Sequence, residues 1–72
     1  MPKYEIRVKG ILDPIWQADF EGFELTQDRG REERPQTVLT GQVMDQSALH
    51  GVLARIRDLG LELESIRKLD SR

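Results

Sequence analysis

The stretch Asp45-Gln46-Ser47-Ala48-Leu49-His50-Gly51-Val52-Leu53-Ala54-Arg55-Ile56-Arg57-Asp58-Leu59-Gly60-Leu61 carries both ends and one face of a helix. Asp45 is a good N-cap, because its carboxylate can accept from the free N–H groups of the first turn. Projected at 100° per residue, Ala48, Leu49, Val52, Leu53, Ile56 and Leu59 fall within one arc of about 140°. His50, Ala54, Arg55, Arg57 and Asp58 lie outside that arc. Gly60 supplies the C′ position, and Leu61 the apolar residue that accompanies a Schellman cap. The helix is therefore expected over Gln46–Leu59.

Strands flank it. Upstream, Thr37–Val43 is rich in β-branched residues, and Gly41 inside it signals a bulge or a close backbone approach. Downstream, Glu62–Leu69 reads as a last strand, but the odd spacing of Leu63 and Ile66 breaks simple alternation. Either a bulge intervenes or the two faces are buried unequally, as at a dimer contact. At the other end of the chain, Tyr4, Ile6 and Val8 alternate with Lys3, Glu5, Arg7 and Lys9, the period of a half-buried strand. Asp13-Pro14 then opens a short helix, with Ile15, Trp16 and Phe20 on one face and Gly22 as its end. Phe23 and Leu25 alternate with Glu24 and Thr26 in a second strand. Between Gln27 and Gln36 the chain is polar throughout and punctuated by Gly30 and Pro35, the pattern of a mobile charged loop.

These elements predict one α+β domain spanning residues 1–72: a four-stranded, mainly antiparallel sheet with the Gln46–Leu59 helix on one face. Two connectivities remain open. One is the ferredoxin-like β-(short α)-β-β-α-β order; the other is a three-stranded meander followed by helix and strand.

The composition narrows the function classes. The 72 residues are 38% hydrophobic and 33% charged, with net charge −2 and a pI of about 5.3. Nucleic-acid binders normally carry a basic excess, which is missing here, as are aromatics among the outward positions of the first strand. No apolar run is long enough to cross a bilayer. Met1-Pro2-Lys3-Tyr4-Glu5 has no apolar leader, so a cytoplasmic location is expected. With no cysteine, thiolate catalysis and zinc–thiolate sites are excluded. A domain this small, lacking disulfides, commonly gains stability by self-association, so a homo-oligomer, with a dimer favoured, is expected.

The segment Thr40–Leu61 resembles a group of short uncharacterised bacterial proteins with a D-Q-x-A-L-H-G-x-L-x-x-I-R-D-L-G-L stretch. Tyr4-Glu5-Ile6-Arg7-Val8-Lys9-Gly10 and the Trp16…Phe20-Glu21-Gly22 spacing fit the same group. The resemblance covers most of the chain outside the charged loop and carries over no catalytic residue.

A search for chemistry among the residues is correspondingly brief. His50 is the sole histidine and falls on the solvent side of the helix without a carboxylate to orient it. Ser47 supports the Asp45 cap, and no serine sits in a nucleophile elbow. Glu62 and Glu64 read as a solvated strand edge. No phosphate loop or metal-ligand spacing occurs, so neither enzyme activity nor a cofactor is expected. The possible interaction surface is Trp16, His50, Gly51, Ala54 and Arg57. Trp16 offers an aromatic near one end of the core. The small side chains of Ser47, Gly51 and Ala54 would let a second backbone approach the helix. The expected function is a non-enzymatic, homo-oligomeric binding or regulatory module for an unknown protein or small-molecule partner. The alternatives are a small-ligand sensor with its ligand near a subunit interface and, more weakly, a nucleic-acid-binding module.

Overall fold

The computed structural model describes residues 2–30 and 33–69. Elements follow in the order β1 (Lys3–Lys9), a 3-10 helix (Pro14–Phe20), β2 (Phe23–Asp28), β3 (Gln36–Gln42), α1 (Gln46–Asp58) and β4 (Leu63–Leu69). The four strands form one sheet in the order β2-β3-β1-β4, and every neighbouring pair is antiparallel. Because β3 lies between β1 and β2, the meander alternative is not adopted. The order is compatible with the ferredoxin-like arrangement without being a full example, since a short 3-10 helix stands where a crossover α-helix would lie.

Alternation along β1 places Tyr4, Ile6 and Val8 in the core, the latter two fully buried. Leu39 opposes Ile6 and Thr37 opposes Val8; residues directly opposed in an antiparallel pair share a face. Gly41 meets a close approach rather than a bulge. A Cβ there would lie 2.6 Å from the Gly22 carbonyl oxygen. Thr37 is the one buried polar residue among those described, and both its hydrogen-bonding roles are filled. Its hydroxyl accepts from Leu12 N–H and donates to the Gly10 carbonyl, each at 2.8 Å. That pair pins the chain leaving β1 onto β3.

Asp13 caps the 3-10 helix by accepting from Ile15 N–H. The expected shared face of Ile15, Trp16 and Phe20 holds only in part. Phe20 is buried and Trp16 half-buried against the core, but Ile15 is 74% exposed. A 3-10 helix turns 120° per residue rather than 100°, which changes which residues share a face.

α1 is capped as the sequence predicts. Asp45 accepts from Ala48 N–H at 2.8 Å. At the other end, Gly60 N–H donates to Arg57 O and Leu61 N–H to Ile56 O, with Gly60 at φ +73°, the Schellman pattern. The buried arc is narrower than expected. Leu49 and Ile56 are buried, Val52, Leu53 and Leu59 half-buried, and Ala48 exposed. The helix rests on its Leu49–Ile56 line and rides high on both sides.

On β4 the odd spacing of Leu63 and Ile66 has a bulge as its cause. Ile66 pairs with Ile6 and Leu63 with Val8, the register slipping between Arg7 and Val8. Both therefore face the core side, yet Leu63 is 44% and Ile66 38% exposed. The apolar cover ends between β1 and β4. The expectation of a mobile charged loop falls partly on Arg31 and Glu32, outside the described residues. On its near flank, Gly30 N–H donates to the Asp28 side chain at 3.0 Å.

Candidate interaction surfaces

The residues singled out from the sequence are not brought together. His50, Gly51 and Arg57 are exposed on α1, and Ala54 is half-buried between them in sequence. Three- and four-residue spacings put His50, Ala54 and Arg57 on one ridge of the helix. Arg57 bonds the adjacent Asp58 at 3.3 Å, and both side chains stay mostly exposed. A Cβ at Gly51 would meet nothing within 4 Å, so space for a second backbone exists there. Trp16 lies apart, on the 3-10 helix that packs against β2.

The sheet face opposite α1 carries a polar network that crosses all four strands. Arg7 on β1 donates to Asp28 of β2 at 2.8 Å, to Gln36 of β3 at 2.9 Å and to Glu5 of its own strand at 3.1 Å. Arg67 of β4 joins Glu5 at 3.2 Å, and Gln36 donates to Glu64 at 2.9 Å. Val38, opposite both Arg7 and Thr26 in the ladders, is 7% exposed within this polar layer. Hydrogen bonding from Arg7, and secondarily from Gly30 N–H, holds the Asp28 carboxyl below its ordinary range. Arg7 is raised in turn by its bonds to Asp28 and Glu5. Lys68 opposes Tyr4 on the core side.

The two sheet edges differ. The 3-10 helix covers the start of the β2 edge, where Gln17 donates from Nε2 to the Phe23 carbonyl. Among the described residues β4 borders β1 alone in the sheet, and six of its seven residues are exposed. Three of the clefts among the described residues accompany these edges. One of about 450 Å³ is lined by Asp28, Gly30, Arg34, Gln36 and Glu64. A second, of about 230 Å³, lies among Lys9, Arg34, Glu62 and Glu64. The third, of about 260 Å³, sits between the 3-10 helix and β2, with Leu12, Pro14 and Leu25 as its apolar walls. None of the three takes in Trp16, His50, Gly51, Ala54 or Arg57.

Sequence reasoning did not list Leu63, Ile66 or Leu12 as surface candidates. Their signal was indirect: the broken alternation of the last strand, and an apolar residue next to the Asp13 cap. Among the described residues, no group of three or more His, Asp or Glu side chains is placed to hold a metal ion, and no helix is long and apolar enough to cross a membrane.

No curated protein and no solved structure matches this chain. Residues 3–67 match the model of a family described as a domain of unknown function, DUF8691. That match takes in β1, β2, β3, α1 and β4 as far as Arg67, and the chain belongs to the DUF8691 family.

Proposed function

We propose that this domain is a non-enzymatic, self-associating binding or regulatory module whose copies join through β4. The observation that carries this reading is the bare β4 edge with Leu63 and Ile66 on its core side. An edge strand presents unpaired N–H and C=O groups along its length. A two-fold axis through Ile66, perpendicular to the sheet, would pair two β4 strands antiparallel. It would set Ile66 beside its own copy and continue both apolar layers on the same side. Charges favour that register, because Glu64 of one copy then shares the outer face with Arg67 of the other. The domain's small size supplies the reason, since an added apolar contact stabilises a core this limited.

A non-enzymatic role is supported by the placement of the sole histidine, exposed on α1 and away from all three clefts. A cytoplasmic site of action fits a chain without cysteine. The small-ligand sensor is a second reading. The cleft of about 450 Å³ favours it, because Glu64 of β4 forms part of its wall and a ligand there would lie beside the proposed subunit contact. Nucleic acid is the weakest reading, since the central Arg7 is engaged by two carboxylates and no aromatic stands on that face.

Light scattering on a size-exclusion column, for wild type and Ile66→Lys, tests the main reading. A dimer that becomes a folded monomer in the variant is the expected result. A wild type that stays monomeric at every concentration would overturn it, as would a variant that remains dimeric.

A further inference from the structure

We infer that the β2 edge takes an extended peptide in which an aliphatic residue is flanked by basic ones. This goes beyond the self-association of β4 and uses the opposite edge of the sheet. Three observations carry it.

First, β2 is an edge strand whose covering stops early. Gln17 satisfies the Phe23 carbonyl, and Glu24, Thr26 and Gln27 beyond it are exposed. A strand added there would gain main-chain hydrogen bonds irrespective of its sequence.

Second, the cleft of about 260 Å³ opens on the core side of this edge, walled by Leu12, Pro14 and Leu25. Thr37 also lines it, but its hydroxyl is already committed to Leu12 N–H and the Gly10 carbonyl. Gln17, Thr26 and Gln27 complete the lining. Gln17 donates to the Phe23 carbonyl and Gln27 accepts from Arg29, so an aliphatic side chain against the Leu12, Pro14 and Leu25 walls would displace water favourably. Alternate side chains of an added strand point to opposite faces. When one enters the cleft beside Leu25, its two neighbours lie on the opposite face, level with Glu24 and Thr26.

Third, the charge of this edge is predominantly negative, with Arg29, which donates to Gln27 at 3.3 Å, at its far end. From Ile11 to Asp28 the chain holds Asp13, Asp19, Glu21, Glu24 and Asp28, and no lysine, arginine or histidine. Arg7 pairs with Asp28, while Asp13, Asp19, Glu21 and Glu24 are exposed. A basic partner is steered to such a surface and an acidic one repelled. Basic, aliphatic, basic is thus the order that the edge, the cleft and the charge together select.

The test is a binding titration of the full chain with three fluorescein-labelled peptides that share a Thr-rich frame and differ at a central triplet. The triplets are Lys-Val-Lys, Lys-Ser-Lys and Glu-Val-Glu. The first should bind about tenfold more tightly than the second, the worth of roughly two buried methyl groups. The acidic peptide should not bind, Glu24→Lys should weaken the first peptide, and added salt should do the same. Ile66→Lys, which addresses only the proposed dimer contact, should leave the affinity unchanged. Equal binding of Lys-Val-Lys and Lys-Ser-Lys would overturn the inference, and so would indifference to Glu24→Lys. Loss of binding in Ile66→Lys would assign the peptide to the other edge and overturn it too. Failure of all three peptides to bind would refute it while leaving the β4 reading standing.

Discussion

Two glycines of this chain should respond to alanine with opposite signs. At Gly41 the new Cβ would lie 2.6 Å from the Gly22 oxygen and 2.9 Å from Cγ of Phe23. Neither neighbour yields easily. Gly22 is held in a turn at φ +86°, and Phe23 is buried. Overpacking of this kind costs roughly 1–3 kcal/mol. Alanine restricts the unfolded chain and offsets about 0.4–1 kcal/mol of that. The net loss is about 1–2 kcal/mol, or a fall in Tm of roughly 5–15 °C for a domain of this size. Gly51, exposed on α1 with nothing within 4 Å, provides the control. Alanine there should stabilise by about 0.5–1 kcal/mol, the helical penalty of glycine. Thermal scans by circular dichroism, with urea titrations alongside, measure both. They need to be run at matched protein concentrations, since association makes Tm concentration-dependent. A Gly41→Ala protein that melts at or above the wild type would refute the reasoning, because the backbone would then have room to move aside.

Three further outcomes are expected. Thr37→Val leaves Leu12 N–H without its acceptor and should cost about 1–3 kcal/mol; rapid hydrogen exchange at Leu12 would accompany it, and unchanged protection there would count against the pin. Leu53→Ala should cost about 1–2.5 kcal/mol, near half the loss for a fully buried leucine, because Leu53 is only half-buried; a loss matching Ile6→Ala in urea titrations would show the helix seated more deeply. Asp28 is depressed below its ordinary value of 3.8, so its contribution is present above that value and lost as pH falls through the lower folded one. An NMR titration should show the Asp28 midpoint rising in Arg7→Gln, and an unmoved midpoint would remove Arg7 as the cause.

Much of the fold was legible because its signals are local. Tyr4, Ile6 and Val8 alternate over a short window, and Asp45 and Gly60 bracket α1 within a few residues of the groups they cap. The parity break between Leu63 and Ile66 was legible for the same reason, but its cause, a bulge rather than unequally buried faces, shows only in the pairing with β1. Ile15 was misplaced because 3-10 and α-helices share an N-cap signal but not a period. Ala48 and Leu53 were assigned too much burial because periodicity gives a helix's apolar face, not the depth at which it seats. The surfaces were the least legible part. Trp16, His50, Gly51, Ala54 and Arg57 were chosen by residue type on their own elements. What makes Leu63, Ile66 and Leu12 of interest is which strands end at the sheet's edges, and that depends on pairings far apart in sequence.

The central position of β1 also bears on how the chain is made. Arg67 reaches back to Glu5 across 62 residues, and β1 finds its other neighbour in β3. On the ribosome β1 emerges first and gains its second partner last. Until then Ile6 and Val8 have only one flank covered, and the nascent domain holds an open apolar strand through nearly its whole synthesis. Long-range pairing of this kind slows folding, and such exposed intermediates are what chaperones bind. The alternating Lys3, Glu5, Arg7 and Lys9 give that waiting strand a soluble face.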